Sequence, residues 1–474
     1  MEKLNKRYGL FTAICMVVGT VIGSGVFFKA QAVLEKTGGN MTLGILSWII
    51  TGALMIICSA MFAVMATRYQ KVSGVVDYAE ATCGKTYGYG MAWFMVNIYY
   101  PAMTGVLAWV SARYFGEILG WGAAAPEVMT LAALFLIGNY VLNTFSPKLA
   151  GKFQVSATVI KLIPIVLMAV VGVIYGSAKG TLPQNFSSVV STPEGGNMGG
   201  LFAGIVATVF AYEGWVVATS INAELKNPKK NLPIALVLGA IIVVSAYVLY
   251  FVGVAGGAKT ADLIANGAPT AFSNIFGEVG GKILQVCIVI SCLGTLNGLM
   301  MGASRGMYAI AARNQGPNPK MFSQVDTATN MTTNSAAWGL LVCCAWMVFF
   351  YGANLTEGWF GKFNFDSSEL PIVTIYGMYI PMFVMWMKKE KDLGVFKRFV
   401  LPILSIVACA FMVFAAVYAH GITPYEKAKA AGEFQFPVLF YLVIFAVIMV
   451  IGYALKKPKK TVALDAPVEE ASAE

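Results

Sequence analysis

The sequence predicts an all-α membrane protein of twelve transmembrane helices, built as a five-plus-five inverted repeat with two helices appended. Three observations predict it. The 474-residue chain is 58% hydrophobic and only 12% charged, whereas soluble domains are about 25% charged. Its apolar residues gather into twelve runs, on the scale of the ~20 residues that cross a bilayer as a helix. The first and sixth runs are each interrupted in mid-membrane, which is what two equivalent five-helix halves produce.

In chain order the runs cover 10–33, 42–67, 89–115, 128–143, 155–175 and 201–224, then 232–256, 283–312, 336–351, 370–387, 399–418 and 436–455. They form one transmembrane domain, residues 1–455, with repeat one at about 10–175, repeat two at about 201–387 and extra helices at about 399–455. No cleavable-signal pattern stands out, so the first run reads as a retained span. Residues 269–276 are weakly amphipathic and read equally as a short external helix or an ordinary loop. Residues 456–474 turn from basic to acidic, with small residues and prolines, and read as a disordered tail.

Most Lys and Arg residues fall in alternate short loops, among them Arg68, Lys71, Lys85, Lys148, Lys152, Lys388, Lys389, Lys391, Lys397 and Arg398. Fewer, including Lys29, Lys36 and Arg113, fall on the opposite side. The richer side is cytoplasmic. A multi-pass protein of the cell membrane with both termini inside follows. This distribution also accounts for the net charge of +10, so no nucleic-acid partner is implied.

Eight cysteines are present, all but Cys83 inside apolar runs and none at metal-ligand spacing. No disulfide framework is expected. The single histidine, His420, ends a run, so neither a metal site nor histidine-based catalysis is expected. No phosphate-binding Gly-x-x-x-x-Gly-Lys-Ser/Thr loop occurs. No cofactor is implied.

The first interruption is Gly23-Ser24-Gly25, the combination least suited to a continuous helix. In hydrocarbon, unwound backbone persists only where protein covers it or it lines a cavity. The sixth run repeats the anomaly at Phe210-Ala211-Tyr212-Glu213-Gly214, a charge and a glycine at membrane depth. A helix restarting at Gly25 presents free N–H groups at its positive end, suited to a carboxylate at Ser24 and Gly25. Carbonyls freed around Phe210, Ala211 and Glu213 suit an ammonium group. Together they make a receptor for a zwitterion. The competing reading is close packing of small residues, since Gly19 and Gly23 fit that spacing.

Gly23-Ser24-Gly25-Val26-Phe27, Phe210-Ala211-Tyr212-Glu213-Gly214-Trp215 and Glu224-Leu225-Lys226-Asn227-Pro228 resemble the amino acid–polyamine–organocation superfamily. Gly294-Thr295-Leu296-Asn297-Gly298 and Ser304-Arg305 strengthen a likeness to its L-amino-acid transporter branch, which includes bacterial serine/threonine exchangers. The likeness covers about 8–389. It implies a leucine-transporter-like fold, with Ser24 and Gly25 amides on a carboxylate beside Gly23. The amine would fall to carbonyls of Ile22, Phe210, Ala211 and Glu213. Phe210 would close over the substrate as a gate, and Asn297 would approach the pocket from the eighth run.

Lys161 sits well inside the fifth run, at an insertion cost of about 2.5–3.5 kcal/mol for a centred lysine. It either snorkels or has a partner. The resemblance places it where sodium-coupled relatives hold their ion, bridging the first run to the eighth near Ser291. Glu213 has three readings: a cap on exposed N–H groups, a proton carrier, or a pocket residue favouring cationic side chains. Arg305 and Glu224 either pair as an inner gate or are solvated loop charges.

The resemblance thus implies a secondary amino-acid transporter rather than an enzyme. Its expected mode is sodium-independent exchange of small to medium neutral L-amino acids by alternating access, with no obligatory partner subunit evident. Proton-coupled symport and a non-transporting amino-acid sensor are the alternatives. An enzyme would need a paired nucleophile and base, and a channel would need recurring polar rings; neither pattern is present.

Overall fold

Glycine and proline punctuate an otherwise almost wholly helical chain. The structure is a computed structural model that describes residues 9–69, 74–187, 198–215, 225–326, 331–356 and 358–456. The first apolar run is two half-helices, α1 (Leu10–Val21) and α2 (Gly25–Lys36), separated where Ile22 turns extended at ψ 105°. The side chain of Asn40 then accepts from the Leu43 N–H at 3.1 Å and caps α3 (Met41–Arg68). Gly84, at φ 92°, divides α4 (Val75–Cys83) from α5 (Lys85–Phe94). α5 runs through a π-helical turn, Met95–Tyr99, into α6 (Tyr100–Leu119).

Prolines open the next elements, as their fixed φ and missing N–H favour: α7 (Pro126–Phe145) and α8 (Pro147–Ile160). At Lys161 the chain passes into α9 (Leu162–Leu167), a π turn at Met168–Gly172, α10 (Val173–Ala178) and α11 (Thr181–Ser187). The sixth run contributes α12 (Met198–Tyr212), which stops at a turn holding Glu213 and Gly214. Then come α13 (Pro228–Gly257), α14 (Thr260–Asn266) and α15 (Ala268–Ala311). Gly277 (φ 73°, ψ 171°) breaks the last of these. Residues 268–276 are therefore a short helix of their own, the helical alternative for that stretch.

The remaining helices are α16 (Pro319–Phe322), α17 (Thr333–Phe350), α18 (Leu370–Lys389), α19 (Leu401–Val417), α20 (Thr423–Ala430) and α21 (Pro437–Leu455). A π turn, Tyr418–Ile422, joins α19 to α20. Among the described residues nine helices are long and apolar enough to cross a membrane, while Leu10–Gly19 and Met198–Tyr212 are apolar but shorter. Large apolar side chains such as Leu134, Val155, Ile174, Leu341, Val407 and Val447 face outward, as a hydrocarbon solvent allows. Glu224 and the tail from 457 to 474 lie outside the described residues.

Two contacts set the packing around the broken helices. Gly172 and Gly176 bring the fifth run against Gly253 and Gly256 of α13 so closely that a Cβ at any of the four would meet backbone. Small residues let helices approach in this way where lipid offers no hydrophobic drive. On α12, Thr208 Oγ1 lies 2.7 Å from Thr51 Oγ1 of α3, and Tyr212 Oη donates to Trp48 O at 2.9 Å. These bonds hold α12 in register beside α3.

Gly253→Ala should destabilise the purified protein by about 2 kcal/mol through overpacking against the Met168 carbonyl. Gly138→Ala, with nothing within 4 Å of its added Cβ, should leave the thermal midpoint unchanged. Equal midpoints for both variants would contradict the packing described.

Candidate functional site

The two chain breaks lie against each other. A Cβ on Gly25 would collide with the Cα of Ala211, so only glycine lets α2 start this close to α12. Gly23 is confined in the same way by the Thr295 side chain. Tyr247 of α13 stands between the ends of α1 and α12. Its hydroxyl is 3.0 Å from Val21 O and 2.9 Å from Ala211 O. Both are carbonyls at a helix end, where no intrahelical donor is left. One buried hydroxyl thus serves both breaks.

A cavity of about 260 Å³ opens beside them, lined by Gly23, Ser24, Gly25, Phe210, Ala211 and Glu213. Ser24 is fully buried, its hydroxyl against the Cys292 thiol of α15. The α2 N-terminus, with its positive dipole end, lines the cavity at Ser24 and Gly25 and can accept an anionic group. Glu213 lines the other side. Its Oε2 accepts from Tyr99 Oη at 2.5 Å, and the following Gly214 takes φ 105°. The α2 N-terminus and the Glu213 carboxyl therefore line one small space.

Lys161 lines the same cavity and is 3% exposed. Its ammonium donates to the Gly19 carbonyl, two residues before α1 ends. A buried ammonium demands such partners. Gln154, Gly298, Gly302 and Arg305 line the cavity toward the end of the bundle where α1 begins and α15 finishes. The opposite end is closed by aromatic contacts. Phe28 meets Phe210 at 6.0 Å and Trp109 at 5.8 Å between ring centroids, and Trp109 meets Phe350 at 5.2 Å. Above them Lys29 pairs with Glu369 at 2.6 Å.

A family profile described as "Amino acid permease" matches residues 8–451. The chain belongs to the amino acid permease family. This permease is 33% identical to the serine/threonine exchanger SteT of Bacillus subtilis, over 68% of its own length and 72% of SteT. It is 26% identical to the human cystine/glutamate transporter over 68% of its length and 64% of that protein. With the human "large neutral amino acids transporter small subunit 2" it shares 27% over 69% of its length and 61% of the relative. In both human comparisons it spans less than two-thirds of the relative. The crystal structure of MhsT in complex with L-phenylalanine superposes with a TM-score of 0.59 at 15% identity, covering 88% of the permease and 100% of MhsT. The fold is shared with MhsT, and the permease is a multi-pass membrane protein that transports amino acids.

The structure brings most residues singled out in the sequence to one place. Gly23, Ser24, Gly25, Lys161, Phe210, Ala211 and Glu213 all line the cavity. Ile22 is buried beside it, with Val21 at the wall. Asn297 is held behind the wall: its amide donates to Gln154 Oε1 at 3.1 Å and Ala150 O at 3.2 Å, and its oxygen accepts from Asn143 at 2.8 Å. Gln154 is the member of this network that reaches the cavity. Ser291 Oγ is buried with no hydrogen-bond partner among the described residues, and Thr295 Oγ1 donates to the Ser291 carbonyl at 3.0 Å.

Sequence reasoning missed Tyr247, Gln154, and the pair Lys29–Glu369. Tyr247 carried a weak signal, a hydroxyl inside a fully apolar run, which needs a partner when buried. Tyr247→Phe should lower stability by about 1–3 kcal/mol, the cost of leaving buried carbonyls unsatisfied. Substrate binding should weaken with it while the helical circular dichroism is unchanged. Wild-type affinity and wild-type thermal midpoint in Tyr247→Phe would contradict the bridging role.

Proposed function

We propose that this permease is a secondary active exchanger of small to medium neutral L-amino acids that works by alternating access and without sodium. It sits in the cell membrane with both termini cytoplasmic. In this reading the chain makes twelve spans, with repeats at about 10–175 and 201–387 in inverted topology and appended helices at about 399–455. The observation that carries the reading is the apposition of the two breaks, with the α2 N-terminus and Ser24 on one side of the cavity and Glu213 on the other. A free amino acid presents those two charges on adjacent carbons. The α2 N-terminus and Glu213 would bind what every amino acid shares.

Lys161 supports the sodium-independent mode. Its ammonium satisfies a carbonyl of α1 beside the break, so a cation belonging to the protein stands where a bound ion would otherwise be needed. The 33% identity to a serine/threonine exchanger supports small neutral side chains and exchange. With the termini inside, the cavity lined by Gln154 and Arg305 faces the cytoplasm, and Phe210 with Phe28 and Trp109 forms the closed outer gate. A second reading, proton-coupled symport, draws on Lys161 and Glu213, two titratable side chains that line one cavity.

The test is counterflow with the single purified chain in proteoliposomes. Radiolabelled neutral L-amino acid should enter faster when unlabelled amino acid is loaded inside, and choline in place of sodium should leave the rate unchanged. Uptake that requires a proton gradient and ignores internal substrate would replace exchange by symport. Failure of the lone chain to transport would show that a partner subunit is required.

Lys161→Ala should reduce exchange by about tenfold or more, since a buried carbonyl loses its charged partner. A wild-type rate in that variant, measured with and without sodium, would remove the support for a built-in cation.

A further inference from the structure

Glu369 immediately precedes α18, is 5% exposed, and holds a different partner on each oxygen. Its Oε1 accepts from Lys29 Nζ at 2.6 Å, and its Oε2 lies 3.0 Å from His420 Nε2. Lys29 also donates to Ser368 Oγ at 3.2 Å, and its ammonium lies 5.3 Å from the Phe210 ring centre and 5.0 Å from that of Phe28. A single ammonium thus touches both the aromatic cover of the substrate cavity and the carboxylate above it.

His420 reaches this pair from the π turn between α19 and α20, in the helices outside the two repeats. Its side chain is 17% exposed. It lines a second cavity of about 500 Å³ together with Lys36, Tyr418, Glu426 and Lys427. That cavity lies at the end of the bundle away from Arg305, so protons can reach the imidazole from that side. The charged groups facing it are Glu369 and Lys29 in the latch, Lys36 at the end of α2, and Glu426 and Lys427 on α20. Asp366 is engaged by the Ser368 N–H and hydroxyl at 2.7 and 2.6 Å.

We propose that His420 is a proton-sensitive latch on the outer gate: protonated it holds Glu369 in the closed arrangement, and neutral it lets the gate open. The inference rests on the alternating-access reading above. Opening this end must part Phe210 and Phe28, and with them Lys29, from the α18 side. Burial pushes the Glu369 carboxyl up, but Lys29 and His420 outweigh burial and hold it well below the usual carboxylate range. Lys29 stays on its other oxygen at 2.6 Å whatever the state of the imidazole, and keeps the carboxylate ionised. A carboxylate favours imidazolium over neutral imidazole, and the contact is present in the closed arrangement. The imidazolium–carboxylate contact belongs to the closed arrangement, so acid shifts the population toward it.

His420 is a positioning residue, acting through Glu369, so the decisive readout is a pH profile. Initial exchange rates are measured with internal pH fixed and external pH set at about 5.5 and about 8, either side of the ordinary imidazole value of about 6.5. The wild type should run about fivefold slower in acid. His420→Gln should run at the fast rate at both values, and His420→Lys, a permanent cation, at the slow rate at both. A profile that persists in His420→Gln, or acceleration in acid, would overturn the proposal. A second readout separates this outcome from failure of the exchange reading. Met103→Cys lines the substrate cavity and is labelled with an impermeant thiol reagent from outside intact cells. At about pH 5.5 it should label more slowly with His420 present than in the His420→Gln background, and equally at about pH 8. Equal labelling in acid would overturn the latch whatever the mode of transport.

Discussion

Backbone unwound inside a bilayer has to find its hydrogen-bond partners within the protein, because hydrocarbon offers none and each bare group costs several kcal/mol. Much of what surrounds the cavity answers that constraint. Tyr247 has its single O–H within reach of the carbonyls of both Val21 and Ala211, which share it. Lys161 satisfies Gly19. Gly25 allows the two breaks to lie so close that one hydroxyl can reach both. What remains, the start of α2 at Ser24 and Gly25, lines the cavity. A substrate carboxylate would complete the set, which makes binding and backbone satisfaction the same event.

The two ends of the bundle differ. Aromatic rings and a buried ion pair close the Lys29 end, while smaller residues and Gln154 line the way toward Arg305. A buried pair is expensive to break, because separating the partners leaves charges without compensation. Lys29 and Glu369 must therefore be rehydrated as that end opens, and a gate of this kind rests closed until something offsets the cost. The position of His420 on the same carboxylate gives the appended helices a hand in that balance.

Composition made the membrane character legible, and Gly23-Ser24-Gly25 with Glu213-Gly214 made the two breaks legible, because helix physics and lipid leave few other uses for those residues. Lys161 was legible for the same reason. The outer pair was not. Lys29 and Glu369 are 340 residues apart, and Lys29 reads in sequence as one more charge near the end of a run on the less basic side. Nothing local marks a carboxylate as the partner of a distant ammonium. Asn297 was read toward the pocket, and the structure bonds it to Asn143, Gln154 and Ala150 instead. Which face of a helix meets a cavity depends on its rotation in the bundle, and a uniformly apolar run does not record that rotation.

The central claim is that the two breaks read the charged ends common to all amino acids. Counterflow of a transported amino acid, challenged in turn with unlabelled substrate, its methyl ester and its N-acetyl derivative, tests it most directly. The free amino acid should compete fully, and both blocked forms, each missing one charge, should fail at concentrations about a hundredfold higher. Competition by the ester as strong as that of the free acid would show that the α2 N-terminus does not hold a carboxylate.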